Sequence, residues 1–271
     1  MDISTILGFL VGFGMLLVGF MLEKGTPDML VGLSPFLIVF GGTFGALLVS
    51  YTLHEIKRIP RLMLDACLLH KSSLPDLRDA IVRLSEKARR EGLLSLEQVI
   101  GNPDSAQSLP PMLIKGLGLI IDGTSVELVR EMLENEMDLK AQARALDAKI
   151  FDTAGGFFPT LGIIGTVMGL VMVLSNMGDP AELAKAIATA FIATLYGVVF
   201  ANLIALPVAS KLKLKAGQEQ MEMEFLLEGI LSIQAGENPM VVRQKLDSYI
   251  DALGNEPRGR KSAKKAAGVG R

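Results

Sequence analysis

Half of the 271 residues are apolar, which is too many for an average soluble domain and is typical of a membrane protein with a sizeable polar part. The single cysteine, Cys67, excludes an internal disulfide framework and a multi-cysteine metal site. Because the formal net charge is only −2, the chain as a whole is not expected to bind nucleic acid, and its charges are informative through their positions.

Four apolar segments are long enough to cross a bilayer, since a spanning helix needs about 20 such residues. They are predicted at residues 3–22, 33–53, 157–177 and 186–210. The first has no basic region before it and no A-x-A site after it, so we expect a retained span and not a cleaved signal peptide. The predicted fold class is an all-α polytopic membrane protein with four transmembrane helices and a helical cytoplasmic domain.

The basic residues predict the orientation of these spans. Of the 27 Lys and Arg, 14 lie between His54 and Thr153 and 11 follow Ser210. Since basic residues concentrate on the cytoplasmic side, both termini and the long loop should lie inside. The expected segments are spans one and two in 1–53, a cytoplasmic loop in 54–153, spans three and four in 154–210, cytoplasmic helices in 211–252 and a basic disordered tail in 253–271.

The polar segments show helical patterns. A helix is predicted within 73–100, with Asp76 in its first turn and Gly92 as an interruption. A second should begin at Thr124 or Ser125 and continue into the third span. We also expect the fourth span to extend inward, followed by one short helix after Asn238.

No Asp, Glu, Lys, Arg or His lies in the core of any predicted span. Ionisable groups in the bilayer mark ion paths, so either the chain conducts nothing or a partner supplies the carboxylate. Motifs typical of hydrolases, metalloproteases and nucleotide-binding loops are absent from the sequence, and His54 and His70 are isolated. We therefore expect no enzyme, no cofactor and no resident metal.

Small and hydroxyl residues instead follow one face of the third and fourth spans. At steps of three and four they are Pro159, Gly162, Thr166 and Gly169, and Ala190, Thr194, Gly197 and Ala201. Gly8, Gly12 and Gly19 in the first span and Gly41 and Gly45 in the second have related spacing. The glycines are explained by close helix packing. The two threonines either bond back to their own helices or form a polar lining around something inserted between subunits.

Longer runs of sequence resemble one family. The segment from Pro159 to Leu212, "PTLGIIGTVMGLVMVLSNMGDP…ATLYGVVFANLIALPVASKL", is similar to the MotA/PomA stator family of the flagellar motor, within the MotA/TolQ/ExbB superfamily, and closest to its sodium-type PomA-like branch. "ARREGLLSLE", "LLEGILSIQAGENPMVV" and "LIVFGGT" resemble further segments of that family. The similarity extends over about residues 1–250.

The resemblance implies a ring-forming subunit of the cell inner membrane. In this family five copies surround two single-span MotB/PomB-type chains, each of which contributes a membrane Asp. The implied mechanism is flow of Na+ or H+ past that Asp while the ring turns around the partner dimer and pushes the rotor protein FliG. The missing carboxylate would thus be the partner's, and membrane lipid is the remaining expected partner.

The resemblance also implies roles for individual residues. Pro159 and Pro207 match two family prolines, which can kink a helix, although Pro159 at a helix start would simply be favourable there. Thr194 matches a family threonine, and Thr166 a position that is threonine in sodium-type stators. The remaining ion-path candidates are Tyr196 and Asn202. Because Thr166 matches the sodium-type residue, the resemblance implies sodium favoured over protons, although Gly32 stands where some sodium-type relatives have an acid.

In the cytoplasmic loop, Arg89, Arg90 and Glu97 match the family's charged positions that engage FliG. On one continuous helix Arg89 and Glu97 would share a face, unless Gly92 breaks it. Apart from the resemblance, the same residues describe a solvated charged helix.

Three other interpretations have their own expectations. An ExbB/TolQ-like proton-driven energiser of an outer-membrane system typically has three spans and an outside N-terminus. A channel or transporter acting alone would need an internal ionisable site or broken helices. A purely structural scaffold predicts that Thr166→Ala and Thr194→Ala leave function intact.

Overall fold

The structure is a computed structural model that describes residues 3–68, 73–102, 109–175 and 180–252. Over these residues it is helical with no strand, and four of its helices are long and apolar enough to cross a membrane. The all-α fold class with four candidate spans is therefore confirmed. His70, Met177 and the predicted tail 253–271 lie outside the described residues.

The first two spans form a pair joined by a short connector. Helix α1 is Ile3–Leu22, the predicted first span, and a 3-10 turn at Pro27–Leu30 leads to α2, Leu33–Ser50. A π-helical segment, Leu37–Gly41, lies inside α2. The prediction placed the end of this span at Leu53, but Tyr51 is extended (φ −133°, ψ 156°) because Thr52 and Glu55 form a capping box that starts a new helix.

Short helices follow the second span. These are α3 (Leu53–Ile56), α4 (Ile59–Cys67), α5 (Leu74–Glu91), a 3-10 turn (Leu93–Leu96), α6 (Glu97–Ile100) and α7 (Pro111–Ile121). Asp76 lies in the first turn of α5, as predicted. Helix α5 ends because Gly92 has φ +85°, a backbone conformation that favours glycine.

Two long helices contain the third and fourth spans. Helix α8 is Val126–Ser175, continuous through Pro159, and its first turn is capped by Ser125, whose hydroxyl accepts the Leu128 N–H at 3.4 Å. Helix α9 is Pro180–Phe200, a second π segment is Ala201–Ala205, and α10 is Leu206–Gln234; α11, Pro239–Ala252, completes the described chain. The predicted continuation of the third span into the preceding helix, and the extension of the fourth, are confirmed.

The chain forms two compact units. Unit 1 comprises Met1–His70 and Ala143–Lys215, and unit 2 comprises Lys71–Gln142 and Ala216–Arg271. Residues 54–68 and 143–153, which we predicted as part of the cytoplasmic loop, thus group with the spans. The core of unit 1 is small; one of its clusters joins Leu62 and Ala66 of α4 to Ala148, Phe151, Val208, Ala209 and Leu212 of the long helices.

Unit 2 has a larger apolar core, built around the fully buried Phe225, Leu113, Ile230 and Leu246. Helix α7 at its centre was not predicted. Apart from Lys115 its residues are apolar, glycine or proline, so the sequence shows almost no polar face to mark it as an amphipathic helix. Its Gly116 is required by packing, since a Cβ there would lie 2.4 Å from the Ile230 side chain.

Ion pairs hold the surface of unit 2 together. Arg78 bonds Asp247 at 2.5 Å and Asp79 at 2.9 Å. Glu136 accepts bonds from Lys115 at 2.6 Å and Lys140 at 2.7 Å. These two hydrogen bonds, Lys115 first, lower the pKa of the Glu136 carboxyl below its ordinary value.

Candidate functional site

The small-residue faces of the third and fourth spans pack directly against each other. A Cβ added at Gly162 would lie 3.0 Å from the Ala193 carbonyl oxygen and 3.1 Å from the Thr194 Cα. One added at Gly197 would lie 2.5 Å from the Phe158 carbonyl oxygen. Because these neighbours are backbone atoms, only glycine permits so close an approach, which confirms the packing interpretation for these glycines.

The glycines of the first two spans behave differently. Added Cβ atoms at Gly8, Gly19, Gly41 and Gly45 meet nothing within 4 Å, whereas one at Gly12 would contact Leu203 at 3.2 Å. These faces are not used for close backbone packing within the chain.

The close approach brings Thr166 and Thr194 together. Their hydroxyls bond each other, and both side chains are partly buried. Thr166 Oγ1 lies 3.2 Å from the carbonyl oxygens of both Gly162 and Ala190, and Thr194 Oγ1 lies 3.3 Å from the Gly162 oxygen. We call these two hydroxyls and two carbonyls the threonine cluster. It contains bonds both within one helix and across to the other.

The threonine cluster offers four uncharged oxygen ligands. One hydroxyl donates its proton to the other, which donates to a carbonyl, and the remaining oxygen lone pairs suit a hard cation such as Na+. Four uncharged oxygens leave the charge of a bound ion unbalanced in an apolar environment. Among the described residues there is also no group of three or more His, Cys, Asp or Glu side chains that could hold a metal. A cation at this cluster therefore needs a carboxylate from outside the described spans.

Both predicted prolines lie within helical backbone. Pro159 lies in the interior of α8, so the alternative that it starts the helix is wrong. Having no N–H, it leaves the Gly155 carbonyl without its helical bond. Pro207 follows the π segment Ala201–Ala205, whose wider turn is a recognised way to accommodate a proline ring in a continuous helix.

Three aromatic rings connect the irregular parts of these helices, a feature that sequence reasoning missed. Phe40 belongs to the π segment of α2, Phe158 precedes Pro159, and Phe200 precedes the second π segment. The Phe40 ring lies 4.4 Å from that of Phe200 and 5.4 Å from that of Phe158, between centroids. In the sequence, Pro207 indicated a local distortion close to the second π segment. No residue was recognised as a sign of the π segment in α2.

Tyr196 and Asn202 direct their polar groups away from the threonine cluster. The Tyr196 hydroxyl donates to the Leu30 carbonyl and accepts the Gly32 N–H at 3.1 Å, so it anchors the connector between the first two spans. The Asn202 amide donates to the Val198 carbonyl of its own helix at 2.8 Å and is exposed. Their assignment to an ion path remains a prediction.

The charged candidates of the loop are exposed but do not share one helix. Arg89 and Arg90 lie in the last turn of α5, and Glu97 begins α6 beyond Gly92 and the 3-10 turn. The same-face argument for Arg89 and Glu97 therefore does not apply. Their contact with a rotor protein remains a prediction.

Comparisons with known proteins cover almost the whole chain. Residues 104–259 match the model of the MotA/TolQ/ExbB proton channel family, and residues 6–92 match that of the motility protein A N-terminal region. Motility protein A of Bacillus subtilis is 36% identical over 255 residues, 93% of this chain and 92% of that protein. Chemotaxis protein PomA of Vibrio alginolyticus is 32% identical over 251 residues, 93% of this chain and 96% of that protein.

Solved structures agree with these matches. The flagellar MotAB stator complex from Bacillus subtilis superposes with a TM-score of 0.83 at 34% identity, over 93% of this chain and 98% of that one. The C. jejuni MotAB structure superposes with a TM-score of 0.84 at 28% identity, over 92% of this chain and 96% of that one. These relatives are motility proteins and not enzymes. The chain thus belongs to the MotA/TolQ/ExbB proton channel family, and within that family to the group of motility protein A and PomA.

Proposed function

We propose that this chain is the multi-span stator subunit of a flagellar motor, which forms an ion-driven, torque-generating complex with a MotB/PomB-type partner. Support comes from the family, from the near-complete coverage of the relatives, and from two similar structures that are MotAB complexes. In the proposed assembly five copies surround two single-span partner chains in the cell inner membrane, with both termini of this chain in the cytoplasm.

The observation that supports ion coupling best is the threonine cluster in spans without ionisable side chains. Thr166 and Thr194 place two hydroxyls and two carbonyl oxygens at one point between the third and fourth spans. A partner carboxylate facing this point would supply the missing charge. Hydroxyl and carbonyl oxygens suit a dehydrated Na+, whereas a proton needs only the acid, so we favour Na+ over H+.

Pro159 and Pro207 are proposed to transmit ion occupancy into movement of the cytoplasmic extensions. Pro159 interrupts the hydrogen bonding of α8, and Pro207 follows a π segment, so both helices are locally weakened. Arg89, Arg90 and Glu97 would then contact FliG. Exposed complementary charges contribute orientation and association rate more than affinity, which suits a contact that forms and breaks repeatedly.

The test is the rotation speed of tethered, stator-deleted cells that receive this chain with its partner, as external sodium is varied at fixed pH. A speed that rises and saturates with sodium supports sodium coupling at the threonine cluster. A speed indifferent to sodium but abolished by a protonophore assigns proton coupling and refutes the sodium argument. An assembled complex without rotation would favour the ExbB/TolQ-like energiser, which the four spans argue against.

A further inference from the structure

Thr43, in the second span, has a buried hydroxyl group with nothing to bond. The residue is 2% exposed, and its Oγ1 atom has no hydrogen-bond partner among the residues that the structure describes. A hydroxyl in a helix commonly bonds a carbonyl one turn earlier, as Ser50 of the same span does with the Ala46 carbonyl at 2.8 Å. Because an unpaired hydroxyl in an apolar environment costs free energy, the position of Thr43 indicates a further ligand.

The packing of α2 fixes the depth at which Thr43 meets the fourth span. The ring of Phe40 lies 4.4 Å from that of Phe200, between centroids. Further along both helices, Leu47 belongs to the same apolar cluster as Ala205. Thr43 lies between Phe40 and Leu47 at steps of three and four, so the three residues share one side of α2. Thr43 is therefore level with the second π segment, which lies between Phe200 and Leu206.

A backbone carbonyl of this π segment lacks its helical hydrogen bond. The Leu206 N–H bonds the Ala201 carbonyl and not that of Asn202, which is the wide spacing of a π turn. The next N–H that could reach the Asn202 carbonyl belongs to position 207, where proline has none. The Asn202 carbonyl thus receives neither the α-helical nor the π-helical bond. An unpaired hydroxyl and an unpaired carbonyl lie at the same depth on neighbouring helices.

The surroundings restrict what can bond these two groups. Val39 and Leu47, one turn before and after Thr43, are 0% and 5% exposed, so the site is closed to bulk solvent. Ala201 and Ala205 are buried with side chains of a single methyl group, and small side chains leave the backbone of a helix accessible to its neighbour. The ligand must therefore be small, uncharged, and able both to donate and to accept a hydrogen bond.

We propose that one ordered water molecule links the Thr43 hydroxyl to the Asn202 carbonyl. Neighbouring threonine side chains and ordered waters are the groups that pair backbone carbonyls freed by proline in membrane spans. A carbonyl held by water can change partners as the helix bends, so Thr43 would be a positioning residue for bending at Pro207. That role rests on the hinge of the proposed function, whereas the water site itself does not.

The test is a double-mutant cycle on the thermal unfolding of the purified complex of this chain with its partner, followed by size-exclusion chromatography. Thr43→Val removes the hydroxyl and keeps the side-chain volume. Pro207→Ala restores an N–H that can bond the Asn202 carbonyl, which makes the water unnecessary. The two substitutions are made separately and together.

Two matched controls accompany the cycle. Thr160→Val removes a hydroxyl that is exposed and bonds the Phe157 carbonyl of its own helix at 2.8 Å, so it should leave the unfolding temperature unchanged. Pro159→Ala restores an N–H in α8 instead of α10 and should not alter the effect of Thr43→Val.

We expect Thr43→Val to lower the unfolding temperature by about 2–4 °C, the effect of one lost hydrogen bond in a protein of this size. The loss should largely disappear in the Pro207→Ala background and persist in the Pro159→Ala background. An unfolding temperature that stays constant or rises with Thr43→Val would show a dry, unpaired hydroxyl and overturn the proposal. An equal loss in every background would show that the hydroxyl serves another partner and would overturn it equally.

A second measurement decides the matter if Pro207→Ala prevents assembly. A high-resolution electron cryo-microscopy map of the parent complex should show water density between Thr43 and Asn202. A map with ordered waters elsewhere in the spans and none here would refute the site. Neither measurement depends on motility, so a negative result would leave the proposed function unaffected.

Discussion

Gly197→Ala should separate the third and fourth spans at the point where their backbones are closest. The new Cβ would lie 2.5 Å from the Phe158 carbonyl oxygen and 3.2 Å from the Gly162 Cα. Both are backbone atoms of one continuous helix, so no side-chain rotation can relieve the clash. Ordinary contact begins near 3.4 Å, so the helices must part locally by about 0.9 Å, the difference between 3.4 and 2.5 Å.

This displacement is large compared with the tolerance of the threonine cluster. The bonds from Thr166 and Thr194 to the backbone carbonyls are already 3.2–3.3 Å long, and an increase of that size would break the interhelical ones. Overpacking of this kind costs about 1–3 kcal/mol. We therefore expect a complex that assembles, unfolds on the order of 5 °C earlier and rotates poorly.

The assay is heating of the detergent-solubilised complex followed by size-exclusion chromatography, together with swimming speed. Gly156→Ala is the matched control, since it lies on the same long helix as Phe158 and its Cβ would meet nothing within 4 Å. The control should be as stable as the parent and as motile. If Gly197→Ala matched Gly156→Ala in both measurements, the close helix contact would not support the site and the reasoning would fail.

Three further outcomes are expected. Thr166→Ala should slow or stop rotation while Thr166→Ser retains it, because serine keeps the hydroxyl; Thr160→Ala, whose hydroxyl is exposed and bonds only its own helix, should rotate normally in the same tethered-cell assay. Tyr196→Phe should lower the free energy of unfolding by about 1–2 kcal/mol, because the connector loses its hydrogen bonds to the tyrosine hydroxyl. Thermal unfolding measures this loss, and size-exclusion chromatography shows whether the complex still assembles. The lysine partners of Glu136 lower the pKa of its carboxyl, so the ion pairs contribute to stability above the ordinary pKa of 4.5. This contribution is lost as the pH falls through the lower pKa of the folded state. Glu136→Gln should therefore make the thermal unfolding temperature, followed by circular dichroism, less dependent on pH in the acid range.

The sequence alone determined the parts that depend on local chemistry. The first span was predicted with the residues that the structure shows, since the transfer of apolar side chains into lipid is a property of a single segment. The helices Val126–Ser175 and Leu206–Gln234 were likewise expected to continue from the spans into the polar segments, because helical patterns adjoin the apolar stretches. Small residues at steps of three and four correctly predicted the close contact of the third and fourth spans, whereas most of the glycines with related spacing in the first two spans meet nothing within 4 Å.

Only the tertiary structure decided which faces meet and what the polar groups contact. It showed that Thr166 bonds Thr194 within one chain, while the Tyr196 hydroxyl anchors the connector. It also revealed α7, whose only charged residue is Lys115 and whose sequence therefore shows almost no polar face, and the π segment of α2. Such features depend on contacts between residues distant in the chain, and helical periodicity, which relates only near neighbours, contains no information about them.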